Sequence, residues 1–260
     1  MLGSPIGHSR SPDVHRAAYR VLGLDWDYGR AEVTEAALPG FVAGLGPEWR
    51  GLSLTMPLKR AVLPLVPDRD PLVDRLGLAN TLLLGGRPRL FNTDVDGVEV
   101  ALRDAGVERV GRAVVLGGGA TAASALEALR RMGATPLVVA ARDPRRAESA
   151  VGALADEVVP LATVDLHADV VVATLPAGAD ATVPVPATVP GEPLLDVAYD
   201  PWPSPLGSRW LAAGGVLVHG LDMLLEQAVR QVRVFVSGSP DAPLPDEAAV
   251  RSAMRAAVGG

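Results

Sequence analysis

Lys59 is the only lysine among the 24 Lys and Arg residues of this 260-residue chain. Arginine keeps its proton near neutral pH, whereas a lysine amine can give one up. A single lysine in an arginine-rich sequence is either an accident of composition or a group retained for proton transfer. It stands in "GLSLTMPLK", with the Thr55 hydroxyl on the other side of a proline turn. The only two asparagines fall in two further short strings, Asn80 in "LANT" and Asn92 in "FNTD", which ends on Asp94. The two glutamines, Gln227 and Gln231, are equally rare. The lysine and both asparagines are clustered in these three short strings.

Two other stretches carry chemistry of their own. "GSPIGHSRSP" (Gly3–Pro12) reads either as a turn running into a helix cap or as two hydroxyls and a helix end presented to a small anion. Gly117-x-Gly119-x-x-Ala122 follows an apolar strand and opens a helical pattern, the context in which such a string binds a dinucleotide. Gly117 permits the tight turn, Gly119 lets the backbone approach a pyrophosphate, and Ala122 lets helix and strand pack closely. The helix start adds free N–H groups and a partial positive charge. The next strand ends at Ala140-Ala141, where an NAD enzyme usually carries an acidic residue for the ribose. Arg142 stands there instead, with Arg145 and Arg146 close behind, and suits the 2′-phosphate of NADP. Asp143 either repels that phosphate or caps the following helix.

The elements that must hold these residues follow from periodicity. Ser11 as N-cap and Pro12 as first helical residue open a helix whose apolar face is Val14, Ala17, Ala18, Val21 and Leu22, with Gly23 as its stop. Gly51–Thr55 reads as a strand, Lys59–Leu65 as a helix, and Leu82–Leu84 with Arg89–Phe91 as a hairpin around Gly85-Gly86. "NTDVDG" leads into a helix over Val98–Ala105. From Arg112 onward, strands alternate with helices, with buried strands at Val170–Ala173, Leu194–Val197 and Val216–Val218, which implies a parallel sheet. A long amphipathic helix covers about Leu221 to Phe235, and a Pro/Gly/Ser-rich link, Ser237–Pro245, precedes a short terminal helix.

The totals bound the rest. Hydrophobic residues make up 48%, which suits a globular chain with a substantial core. No apolar run reaches the roughly 18 residues of a membrane span, and no signal-peptide pattern is visible. A net charge of −6 argues against a nucleic-acid partner, and zero cysteines exclude disulfides and thiolate metal sites. The expectation is a cytoplasmic protein with a small-molecule substrate, no membrane or nucleic-acid partner and no metal, as a monomer or homodimer.

In their order, "GSPIGHSRSP", "TMPLK", "LANT", "NTD", the glycine turn and "HGLDMLLEQA" run from Gly3 to Gln227 and resemble the shikimate/quinate dehydrogenase family. The resemblance implies an α/β protein with an N-terminal substrate domain (1–97, completed by 221–260) and a Rossmann NADP-binding domain (98–220), the C-terminal helix returning to the first domain. It implies that Ser9 and Ser11 hold the substrate carboxylate and that Lys59 and Asp94 are the catalytic pair. Thr55, Asn80, Asn92 and Gln227 would hydrogen-bond the substrate, and Tyr199 would close the site. Gly220 would join Gly117, Gly119, Ala122, Arg142 and Arg146 around the cofactor. His8 is expected to be a structural hydrogen-bonder. Asp96 competes with Asp94 for the carboxylate role, but Asp94 directly follows Asn-Thr; Asp96 is expected to face solvent or cap the next helix.

The implied reaction is the reversible, NADP-dependent reduction of 3-dehydroshikimate to shikimate in aromatic amino-acid biosynthesis. A hydride reaching a ketone carbon leaves negative charge on oxygen, which a lysine can stabilise and protonate. The alternatives are an NAD-preferring quinate/shikimate dehydrogenase and a shikimate-binding paralogue without turnover. The chain departs from the family pattern in places. Only Met1-Leu2 precede Gly3, so the first strand is clipped or the start lies upstream. Ser53 replaces an Asn, which is expected to weaken one structural hydrogen bond. "ATLPAG" (Ala173–Gly178) replaces the usual string near the nicotinamide, and His219 and Asp222 are also unusual.

Overall fold

The computed structural model describes residues 1–176, 178–180 and 182–259. Ala177, within the "ATLPAG" string, and Gly260, at the end of the terminal segment, lie outside the described residues. The chain divides into two compact units, Met1–Thr93 with Leu224–Gly260, and Asp94–Met223.

The first unit opens with β1 (Leu2–Gly3), which pairs in parallel with β2 (Ala31–Glu32), while Leu2 bridges to Leu54. Helix α1 (Ser11–Val21) buries Val14, Ala17 and Ala18 and stops before Gly23, whose φ of +65° suits glycine. The expected Ser11 cap is corrected here: Ser11 is already helical and Arg10 occupies the cap position without a side-chain bond. The Ser9 hydroxyl accepts the Ser11 N–H at 3.3 Å instead. Short α2 (Leu38–Ala43) precedes β3 (Gly51–Ser53).

The helix expected over Lys59–Leu65 is also cut short. It is α3 (Leu58–Ala61) followed by a 3₁₀ turn at Leu63–Leu65, because Pro64 has no N–H to continue the ladder. Asp70 caps α4 (Pro71–Leu76) by accepting the Leu72 N–H at 3.0 Å. Strands β4 (Thr81–Leu83) and β5 (Arg89–Phe91) form the expected hairpin and complete an antiparallel sheet in the order β3-β4-β5. Leu52, Leu54, Leu58, Leu82 and Leu90 are buried together in its core.

The second unit begins with α5 (Asp94–Asp104), four residues earlier than the apolar pattern indicates. Asp94 and Asp96 lie in its first turn, where carboxylates suit the positive end of the helix. Then come β6 (Ala113–Leu116), α6 (Ala120–Arg131), β7 (Leu137–Ala141), α7 (Pro144–Val151), β8 (Glu157–Pro160), β9 (Val170–Ala173), β10 (Pro193–Asp196), α8 (Pro205–Ala212) and β11 (Val216–His219). All six strands are parallel, in the order β11-β10-β9-β6-β7-β8. Numbered within the unit, that is the 3-2-1-4-5-6 arrangement of a dinucleotide-binding fold. Central β6, β7 and β9 are buried throughout, as expected of a sheet covered on both faces. Edge strand β8 has no fully buried residue, and its two valines, Val158 and Val159, form too short an apolar run to mark a strand.

Helix α9 (Gly220–Ser237) carries the chain from the second unit back into the first, and α10 (Glu247–Ala256) follows. Val229 and Val232 of α9 and Met254 of α10 share a core with Val14 and Ala18 of α1. Among the described residues no helix is long and apolar enough to cross a membrane.

Candidate active site

In the first unit the rare polar residues converge on Asn80, 2% exposed at the start of β4. Its backbone N–H donates to Phe91 O at 3.1 Å and its carbonyl accepts from Leu54 N at 2.7 Å, so neighbouring strands grip it on both sides. Its amide nitrogen donates to Thr93 Oγ1 at 2.8 Å and to Gln227 Oε1 at 3.3 Å. Its amide oxygen accepts from the Thr93 N–H at 2.9 Å and from Thr81 Oγ1 at 2.8 Å. These bonds fix the orientation of the amide. The Thr93 backbone, immediately before Asp94, is thereby held by a side chain thirteen residues away.

Lys59 is 8% exposed on α3, and its carbonyl accepts the Ala79 N–H at 2.9 Å. The only lysine is therefore bonded through its backbone to the residue preceding Asn80. Thr55 is partly exposed, with its N–H on Leu2 O at 2.9 Å. Asn92 is buried and donates to Leu78 O at 3.3 Å. Gln227 is buried on α9 and donates to Leu224 O at 2.9 Å. Ser11 is buried, and Ser9 is partly exposed. Asp94 is buried at the start of α5, in the second unit.

The first-unit network is wider than sequence reading indicated. Gln231 donates to Asn80 O at 3.1 Å and Thr81 Oγ1 at 2.9 Å, while its Oε1 accepts from Ser53 Oγ at 2.8 Å. Ser53 thus makes a side-chain hydrogen bond to a partner 178 residues away. Gln231 could have been found: it lies four residues after Gln227, on the same helix face. His15 and Tyr28 were also missed. Both are buried, their rings stacked with centroids 4.0 Å apart. Burial lowers the His15 pKa to about 3 and raises that of the Tyr28 phenol.

In the second unit the glycine turn has the shape its sequence promises. Gly117 has φ of +108°, and a Cβ there would lie 2.5 Å from Thr174 Oγ1. A Cβ on Gly119 would meet nothing within 4 Å, which leaves the start of α6 open. Gly118, not anticipated, backs onto Ala147 of α7, and Ala122 is fully buried. Arg142 and Arg146 are exposed just beyond β7. Asp143 caps α7, accepting the Arg146 N–H at 3.1 Å. A carboxylate engaged in this way is less able to repel a phosphate. Gly220 is required by a close approach, since a Cβ would lie 2.6 Å from the carbonyls of Asp196 and Val197. Tyr199 is partly buried in the loop after β10.

Asp96, in the first turn of α5 and partly exposed, pairs with Arg131 of α6 at 3.2 Å, and Arg131 also holds Glu127 at 3.2 Å. Among the described residues no group of three or more His, Cys, Asp and Glu could hold a metal ion.

The family model of the shikimate dehydrogenase substrate binding domain matches residues 1–82. A shikimate dehydrogenase (NADP(+)) from Natronomonas pharaonis is 36% identical, over 98% of each chain. The crystal structure of Mycobacterium tuberculosis shikimate dehydrogenase superposes with a TM-score of 0.81 at 40% identity, covering 98% of this chain and 97% of that one. The Thermus thermophilus shikimate 5-dehydrogenase, solved in complex with NADP(H) and shikimate, gives a TM-score of 0.85 at 31% identity over 98% and 97%. With its motifs in order and relatives matched from end to end, the chain belongs to the shikimate dehydrogenase family.

Proposed function

We propose that this chain is an NADP-dependent shikimate dehydrogenase, interconverting 3-dehydroshikimate and shikimate, with Lys59 and Asp94 as its catalytic pair. The observation that carries the reading is the bonded path Lys59–Ala79–Asn80–Thr93, which ties the only lysine to the residue just before Asp94. Reducing a ketone requires a hydride at carbon and a proton at oxygen. NADPH, when bound, supplies the hydride. Lys59 stabilises the charge developing on the ketone oxygen and delivers the proton, while Asp94 keeps the amine oriented. Ser9 and Ser11 take the substrate carboxylate. Thr55, Asn80, Asn92 and Gln227 bond its hydroxyls or carboxylate, and Tyr199 covers it.

The cofactor residues fit NADP. The open start of α6 at Gly119 suits a pyrophosphate, and exposed Arg142 and Arg146 suit a 2′-phosphate. Ala122 and Gly220 keep the surrounding backbone close. Residues 1–97 with 221–260 form the substrate domain and 98–220 the NADP domain, in a cytoplasmic monomer or homodimer.

Initial rates at 340 nm with shikimate or quinate, against NADP or NAD, test the reading in wild type and Lys59→Ala. Expected are NADP-selective shikimate oxidation and its collapse in the variant. Quinate oxidation with NAD would reassign the substrate and cofactor. Shikimate binding without turnover would make the chain a binding paralogue.

A further inference from the structure

His219 and Trp202 take no part in the roles above, yet their rings are stacked, with centroids 3.7 Å apart and planes 18° from parallel. His219 ends β11, where it pairs in register with Asp196, the last residue of β10. Trp202 lies on segment 197–204, which joins β10 to α8 and also carries Tyr199. Both residues belong to the second unit, at the carboxyl end of its parallel strands. In open α/β sheets that end borders the ligand crevice.

Asp196 anchors the segment at its two ends. Its Oδ1 accepts the Ala198 N–H at 3.1 Å. Its Oδ2 accepts from Ser204 Oγ, which in turn accepts the Gly207 N–H at 2.9 Å and caps α8. Between these anchors Trp202 is partly buried, with its face on His219. Pro201 and Pro203 flank it, each with φ fixed by its ring, so the placement of Trp202 is passed stiffly along the chain toward Tyr199.

His219 is itself held from two sides. Its Nδ1 accepts the Leu221 N–H at 3.0 Å, one of the amides that the start of α9 leaves without a partner inside the helix. An amide N–H can only donate, so Nδ1 keeps its lone pair and the proton of the neutral ring is on Nε2. The next residue, Gly220, packs so closely that a Cβ would lie 2.6 Å from the Asp196 and Val197 carbonyls, at the base of the same segment. The imidazole is a fixed platform, and Trp202 rests on it.

We propose that the Trp202–His219 stack is a positioning clamp for substrate binding, holding segment 197–204 in the conformation from which Tyr199 covers the substrate. The proposal rests on the reading that Tyr199 takes that place. Without the stack the segment occupies its binding conformation for only part of the time, and apparent substrate affinity falls by that fraction.

Trp202→Ala raises the shikimate KM about three- to tenfold, the range expected for one aromatic pair, leaving kcat within about twofold and NADP affinity by titration unchanged. His219→Asn, which keeps an acceptor for the Leu221 N–H but loses the ring face, has the same effect, and the double variant is no worse than either. Trp202→Phe, which keeps a ring on the imidazole, has a KM within about twofold of wild type. Added to Tyr199→Ala, Trp202→Ala has no further effect. Additive increases in the double variant, or an increase that Trp202→Phe shares in full, would overturn the proposal. A large fall in Tm or failure to fold in both Trp202→Ala and His219→Asn would make the stack structural and overturn it too. So would an unchanged shikimate KM in Trp202→Ala while Tyr199→Ala raises it. If Tyr199→Ala also leaves that KM unchanged, the assignment of Tyr199 fails as well, and the two failures are thereby distinguished.

Discussion

Asn80, Thr81, Thr93, Gln227, Gln231 and Ser53 are buried in the first unit and bond to one another across three elements. In the second unit the buried strands are almost wholly Val, Leu and Ala, and the features facing the proposed cofactor are a glycine turn, an open helix start and exposed arginines. The contrast matches two kinds of ligand. A compact ring with several hydroxyls is told from its relatives only by side chains with fixed donors and acceptors. A dinucleotide is gripped largely by backbone and needs small residues that keep out of its way. The first unit therefore concentrates its specificity in a buried polar network, where one wrong residue leaves several groups unpaired.

Four substitutions or conditions test this contrast. Lys59→Ala should have the largest effect, lowering kcat about 10³-fold, or about 4 kcal/mol, with NADP affinity unchanged by titration. A matching loss of NADP affinity would mean that the two units do not divide the labour. Asn80→Ala comes next. It strands Thr81, Thr93 and Gln227, and should cost about 3 kcal/mol of stability in urea unfolding. If the loss is no greater than that of an exposed residue, the network is not cooperative. Arg142→Gln should raise the NADP KM by about 10- to 30-fold, or about 1.4 to 2 kcal/mol, and leave the NAD and shikimate KM values alone.

The last prediction concerns pH. Buried His15 titrates near pH 3 in the fold, against about 6.5 when unfolded, so below 6.5 the unfolded chain binds the extra proton. Its contribution is complete above pH 6.5 and is lost as pH falls toward 3, at up to about 1.4 kcal/mol per pH unit. His15→Phe should flatten the dependence of the urea midpoint between pH 7 and 5. An unchanged slope would assign that dependence to other groups.

Much of the second unit was legible because its strands are apolar runs and its glycines, caps and helices follow one another within a few residues. Strand β8 escaped because its apolar part is only Val158-Val159, too short to stand out as a strand. The start of α5 escaped because "NTDVDG" lacks apolar spacing, although its two carboxylates suit a helix N-terminus. In the first unit the rare Asn80, Gln227 and Gln231 marked a buried polar network. The partner of Ser53, 178 residues away, was not readable from those markers.

Residue type and local spacing thus determined the chemistry available to this protein: a lone lysine for protons, amides and hydroxyls for a polar ligand, and a glycine turn with arginines for a phosphorylated cofactor. Only the tertiary structure decided which amide faces which hydroxyl. Ser53 meets Gln231 across 178 positions, Gln231 meets Asn80 across 151, and Asp96 meets Arg131 across 35. Contacts that distant are fixed by how helices and strands pack, and a hydrogen bond exists only when packing brings a donor within about 3 Å of an acceptor.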